Sequence, residues 1–265
     1  MYKVGVFDSG IGGMKIATSI LESIPSCDVF YYADQAHAPY GNLNEKQIDS
    51  RCYHITEKFL EEGVDLIVIA CNTATSTSIK KLRENFNVPF VGVEPDLNYF
   101  NRNIVPDSAK IGVLTTPITQ KMDKFNDLKA KLDPHNFFQY ISMPLLASLV
   151  EKIFLAEKDD ILKIKNEIKS DLNLRVPEDL DYLVLGCTHY GLIDLFISEC
   201  LNVKTICPSS SVVKQVNRQL ELDKFDVTMT RSANEIRFCS SKKIDGFKKI
   251  DLEWKQRFKS EKLMS

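Results

Sequence analysis

The chain echoes itself, and that echo constrains its fold more than any other feature. Lys3-Val-Gly-Val-Phe-Asp-Ser-Gly10 resembles Lys110-Ile-Gly-Val-Leu-Thr-Thr-Pro117, and Asp65-Leu-Ile-Val-Ile-Ala-Cys71-Asn-Thr73 resembles Asp181-Tyr-Leu-Val-Leu-Gly-Cys187-Thr-His189. The paired segments occur in the same order, and in each pair the apolar run stops at the same point. Two homologous halves account for both matches. The runs Val4 to Phe7, Val29 to Tyr32, Leu66 to Ala70, Phe90 to Val93, Ile111 to Leu114 and Leu183 to Leu185 are short and rich in β-branched or aromatic residues. Such runs suit strands of a parallel sheet buried on both faces. Between them, Ile48, Cys52, Ile55 and Phe59 share one helical face, as do Ile161, Ile164, Ile168 and Leu172. Alternating strands and helices predict a layered α/β fold with right-handed crossovers.

At 265 residues, the chain fits one or two domains of about 150 residues each. Thirty-four basic residues face thirty-six acidic ones, for a net charge of -2, which argues against a broad nucleic-acid-binding face. No apolar run approaches the length needed to span a bilayer. Met1 to Phe7 reads directly as a strand, so no export signal is expected. Seven scattered cysteines then read as reduced thiols in a cytoplasm. The lysine-rich tail after Ser241 carries Asp245, Asp251 and Glu253 among its lysines and reads as a solvated terminal helix.

Cys71 and Cys187 each follow an apolar strand and precede small polar residues, Asn72-Thr73 and Thr188, suited to a strand-to-helix turn. Open α/β sheets bind ligands at such strand ends. A helix N-terminus there would favour thiol ionisation and would hold a carboxylate on its amides. One thiol on each side of a small anion suits proton removal from one face and delivery to the other. A strand-end cysteine is otherwise an ordinary core filler, and Cys27, Cys52, Cys200, Cys207 and Cys239 are read that way. Cys187 and His189 are too few for zinc, and no metal site is expected.

Phe7-Asp8-Ser9-Gly10-Ile11-Gly12-Gly13 follows the first strand. It fails the dinucleotide fingerprint, because Lys15 stands where the third glycine would fall. Asp8 and Ser9 either bind an ammonium group or assist proton transfer, or they simply cap a helix starting near Met14. Pro39-Tyr40-Gly41-Asn42 is a turn whose amides suit a second carboxylate. His189 is placed to tune the Cys187 thiol. Glu151 alone reads as a solvated helix residue.

Four of these segments together resemble bacterial glutamate racemases of the aspartate/glutamate racemase superfamily. They are Phe7 to Gly13, Pro39-Tyr40-Gly41, Ala70-Cys71-Asn72-Thr73 and Gly186-Cys187-Thr188-His189, in the family's order and spacing. The resemblance runs from Val4 to about Ser211. It implies two similar α/β domains with mostly parallel sheets, related by a pseudo-twofold, with the active site between them. Residues 1–97 plus 209–265 would form the first domain and 98–208 the second. It also implies a cofactor-independent enzyme that supplies D-glutamate for peptidoglycan and assembles as a homodimer.

By the same resemblance, Cys71 removes the α-proton of the D-enantiomer and Cys187 that of the L-enantiomer. Asp8 assists the first thiol, and His189, with Glu151 nearby, assists the second. Ser9, Tyr40, Gly41, Asn72, Thr73 and Thr188 join Asp8 and His189 in binding substrate. The chain departs from the family pattern at His37, where arginine is usual, and at Gly191, where proline is usual. Thr115 replaces a small residue, and Gln120-Lys121 differs from the expected polar stretch. An aspartate or broad-specificity racemase, or an amino-acid-binding homologue without turnover, stands as the alternative.

Overall fold

A computed structural model describes residues 1–24, 27–221, 235–242 and 244–258. In chain order the elements are β1 (Tyr2–Asp8), α1 (Met14–Ser23), β2 (Cys27–Ala33), α2 (Glu45–Glu61), β3 (Leu66–Ile69), α3 (Asn72–Asn85), β4 (Phe90–Gly92), α4 (Tyr99–Arg102), β5 (Ile111–Thr115), α5 (Asp123–Leu132), β6 (Phe138–Ser142), α6 (Leu146–Leu155), α7 (Lys158–Arg175), β7 (Tyr182–Leu185), α8 (Asp194–Leu201), β8 (Lys204–Ile206), α9 (Ser209–Gln219), β9 (Ile236–Ser240) and β10 (Ile244–Ile250). They form two units. One holds Met1–Glu94 with Ser209–Asp251, the other Pro95–Pro208 with the described residues from Leu252 onward.

The first unit carries a six-stranded sheet in the order β10-β9-β2-β1-β3-β4, the second a four-stranded sheet in the order β6-β5-β7-β8. Among the described residues all pairings are parallel except β9 with β10. The orders 2-1-3-4 and 6-5-7-8 are one topology used twice. In each, the chain reverses its direction of travel across the sheet between the first and third strands of the set, and ligands of open α/β sheets sit at such switch points.

The sequence echo extends to individual bonds. Val4 pairs with Leu66 and Phe7 with Ile69; at the equivalent positions Ile111 pairs with Tyr182 and Leu114 with Leu185. The Lys3 amide donates to the Asp65 carboxylate at 2.8 Å, and the Lys110 amide donates to Asp181 at 2.8 Å. The Asp34 amide reaches the Asp8 carbonyl, as the Met143 amide reaches that of Thr115. Strand ends that match in register place Cys71 and Cys187 at corresponding points of the two sheets.

The central strands are apolar because helices cover both faces. Val4, Val6, Phe7, Leu66, Ile67, Val68 and Ile69 are fully buried, each larger side chain stabilising the unit by about 1.5–3 kcal/mol. On α2, Ile48, Cys52, Ile55 and Phe59 all enter this core. On α7 the buried face consists of Ile161, Lys165, Ile168 and Leu172, with Ile164 only partly covered.

Two expectations are corrected. Residues 244–250 do not belong to a solvated helix. They pair antiparallel with β9, and Phe247 packs on Phe30, Tyr32 and Phe59 with ring centroids 5.4, 6.3 and 5.6 Å away. Lysines on this strand are in keeping with its place at the sheet edge. A 3-10 turn over Glu253–Phe258 follows, and 259–265 lie outside the described residues. The units also divide at Glu94 instead of residue 97, and residues 252–258 group with the second unit. Leu97 packs with Ile111, Val113, Val184 and Ile206, and Arg257 donates to the Ala156 carbonyl at 2.6 Å.

Candidate active site

In the first unit, β1 delivers Asp8-Ser9 and the adjacent β3 delivers Cys71, which occupies the N-cap position of α3. Helix α1 starts at Met14 as expected, but its N-cap is Gly13, with no side-chain cap hydrogen bond. Asp8 and Ser9 therefore do not cap it. Instead the Ser9 amide and hydroxyl donate to Asp8 Oδ1 at 2.7 and 3.3 Å, and Cys71 Sγ lies 3.9 Å from Ser9 Oγ. Tyr31 Oη donates to the Gly10 carbonyl and fixes the loop. A Cβ on Gly13 would stand 2.6 Å from that of Ala70, so glycine is what lets this loop lie against the strand end before Cys71.

The Cys71 thiol is not activated at rest, contrary to the expectation from its helix terminus. Burial and the Asp8 carboxylate push it up to about 12, and the Ala74 amide and Ser9 hydroxyl offset this only in part. Desolvation of a whole thiolate outweighs one turn of helix dipole. Asn72 and Thr73 form the first turn of α3, half-buried. Tyr40 and Gly41 lie in a 3-10 turn over Tyr40–Asn42, Tyr40 buried and Gly41 partly exposed.

In the second unit, Cys187 follows β7 and precedes a buried 3-10 turn, Thr188–Ile193, which leads into α8. His189 Nδ1 lies 3.9 Å from Cys187 Sγ, and its Nε2 is 2.8 Å from Glu151 Oε1 on α6. Glu151 is thus not simply solvated: it pairs with the imidazole whose other nitrogen faces the thiol. Gly191, one of the departures, is buried inside the 3-10 turn.

Gly186 sets the position of Cys187. A Cβ there would fall 2.5 Å from the Leu114 carbonyl oxygen, a backbone atom that cannot step aside. Gly186→Ala is expected to destabilise the protein by about 1–3 kcal/mol and to displace Cys187. Thermal unfolding together with turnover measures both effects.

Sequence reasoning missed several groups. At the end of β5, Thr116, at the position matching Ser9, shares a hydrogen bond of 2.8 Å with Thr119 of the following 3-10 turn. The echo itself was the signal, since it aligns Thr115-Thr116 with Asp8-Ser9. Thr115 and Gln120, two departures from the family pattern, satisfy each other: Gln120 Nε2 donates to the buried Thr115 hydroxyl at 2.8 Å. His37, a third departure, lies 2.9 Å from Asp34, which also receives Arg51 from α2. Nothing in the spacing of these three residues announced that cluster.

Residues 14–216 match the family model described as Asp/Glu/Hydantoin racemase. The glutamate racemase of Bifidobacterium longum (strain DJO10A) is 35% identical over 204 residues, covering 75% of this chain and 76% of that protein. Glutamate racemase 2 of Bacillus subtilis (strain 168) is 32% identical over 221 residues, 82% of each chain. Among solved structures, Escherichia coli glutamate racemase in complex with L-glutamate and the activator UDP-MurNAc-ala superposes with a TM-score of 0.75 at 27% identity, over 90% of this chain and 88% of that one.

Proposed function

The chain belongs to the Asp/Glu/hydantoin racemase family, and on that premise we propose that it interconverts L- and D-glutamate by a two-cysteine acid–base reaction that uses no cofactor. The observation that carries the reading is the placement of Cys71 and Cys187 at corresponding strand ends, Cys71 beside the Ser9 hydroxyl and the Asp8 charge, Cys187 beside the His189 imidazole. Two thiols acting on one α-carbon from opposite faces invert it, whereas one thiol can only return the proton to the face it left.

The α-proton of an amino acid is weakly acidic, so fixed donors and exclusion of water must stabilise the carbanion-like state. A positioned acid or base supplies about 10²–10⁴-fold, too little without that help. Amides near Cys71 and Cys187 would hold the α-carboxylate. The Tyr40-Gly41 turn and Thr188 would hold the side-chain carboxylate. In the L-to-D direction His189, oriented by Glu151, draws the proton from Cys187, which removes that of the substrate. Cys71, held as a thiol, delivers a proton to the other face.

In the D-to-L direction Cys71 would first ionise, its proton passing by way of the Ser9 hydroxyl to Asp8, which also removes the carboxylate charge that opposes the thiolate. Cys187, protonated through His189, would then deliver a proton to the other face. The product fits a supply of D-glutamate for peptidoglycan. The reading includes a homodimer in a cytoplasm, and among the described residues no helix is long and apolar enough to cross a membrane.

Incubation in deuterium oxide tests this. Glutamate should gain deuterium at its α-carbon and lose optical activity. Exchange of aspartate alone would assign the protein to a different racemase activity, and binding without exchange would make it a binding protein.

A further inference from the structure

Asp34 lies directly after β2, with no solvent exposure. Its Oδ2 accepts from Tyr40 Oη at 2.6 Å and from Arg51 Nε at 2.9 Å; its Oδ1 accepts from Arg51 Nη2 at 3.0 Å and lies 2.9 Å from His37 Nδ1. Its amide is bound to the Asp8 carbonyl at 2.9 Å. One buried carboxylate therefore ties together the end of β1, the Tyr40 turn and helix α2. The Arg51 contact is a two-point fork, the geometry in which a guanidinium fixes direction as well as charge.

Burial alone would raise the Asp34 carboxyl, yet the hydrogen bonds from Arg51, Tyr40 and His37 hold it below the usual carboxylate range. It stays charged across the working pH range, and the Tyr40 hydroxyl, raised by burial and by Asp34, stays a donor.

We propose that Asp34 and Arg51 are positioning residues that hold the Tyr40-Gly41 turn in the orientation that receives substrate carboxylate. This deepens the racemase reading and rests on it. The rest of the loop is fastened independently: the Ala36 amide donates to Ser241 Oγ at 3.0 Å, and Ser240 Oγ donates to Gln35 at 2.8 Å. These bonds anchor residues 35 and 36 but do not reach the Tyr40 side chain. Helix α2 is held by Ile48, Cys52, Ile55 and Phe59, so loss of the Arg51 fork frees the turn without removing the helix. Cys71 hangs from β3 and α3, so the thiol keeps its place.

The test compares glutamate kinetics of the wild-type protein with Arg51→Met, Arg51→Lys and Asp34→Asn, alongside thermal unfolding of each. Arg51→Met should raise KM about ten- to a hundredfold, with kcat changed far less. Arg51→Lys, which keeps the charge and one donor, should recover a large part of that loss. Asp34→Asn leaves the guanidinium uncompensated and should give the larger KM effect if it folds; Arg51→Lys decides the matter if it does not. Variants that melt earlier but keep a wild-type KM would show a structural tie only and overturn the proposal, as would a fall in kcat at constant KM. An inactive wild-type protein would instead overturn the racemase reading, and this proposal with it.

Discussion

Cys71→Ser is expected to lower glutamate racemisation by about 10²–10⁴-fold and to leave a one-sided reaction. L-glutamate should still exchange its α-proton with deuterium oxide, with retention, because Cys187 and His189 remain in place. D-glutamate should not exchange. Cys187→Ser should give the mirror result, with exchange confined to D-glutamate. The loss in kcat/KM must be equal in the two directions for either variant, since enantiomers have equal free energies and no catalyst can favour one of them at equilibrium. Initial rates of inversion therefore cannot tell which thiol was removed; isotope exchange can. Proton NMR in deuterium oxide, started separately from each enantiomer, reads both quantities. Full activity in either variant, or exchange on the opposite enantiomer, would refute the assignment of the two faces.

The echo between Lys3–Gly10 and Lys110–Pro117 was readable because both copies of the strand pair are buried on both faces, and burial leaves little freedom in residue type. Register followed, down to the Lys3–Asp65 and Lys110–Asp181 bonds. Other strands escaped detection for the opposite reason. Strand β6 is partly exposed along its whole length, and β8 has three residues, the first of them exposed. Neither makes a continuous apolar run. Strand β10 looked helical because the lysines of a sheet edge resemble those of a solvated helix, and only its pairing with β9 separates the two.

The site divides in the same way. Cys71 and Cys187 were legible as strand ends, a local property. The acidity of Cys71 was not, because the helix terminus is local while its burial and the approach of Asp8 depend on the folded unit. Arg51 and Asp34 are 17 positions apart on different elements, and no periodicity links them.

The burial that keeps Cys71 a thiol also predicts that the first unit fails in alkali. Cys27, Cys52 and Cys71 are each raised from an ordinary 9.0 to about 12, in every case chiefly by desolvation. In the unfolded chain these thiols ionise near pH 9, while in the folded chain they hold their protons until about pH 12. Between those values the folded state binds more protons than the unfolded one, so stability is complete below pH 9 and falls as pH rises. Each thiol subtracts up to about 1.4 kcal/mol per pH unit over this range, so alkali removes a substantial part of the roughly 5–15 kcal/mol that holds a domain folded. Urea unfolding under reducing conditions should therefore show a midpoint nearly constant up to pH 8.5 and then collapsing by pH 11. Cys52→Ala should lower the starting stability through the cavity it leaves but flatten the alkaline slope by about a third. Stability unchanged between pH 8 and 11 would mean that the buried thiols ionise in place, and Cys71 would then have no reason to rest as the proton donor on its side of the substrate.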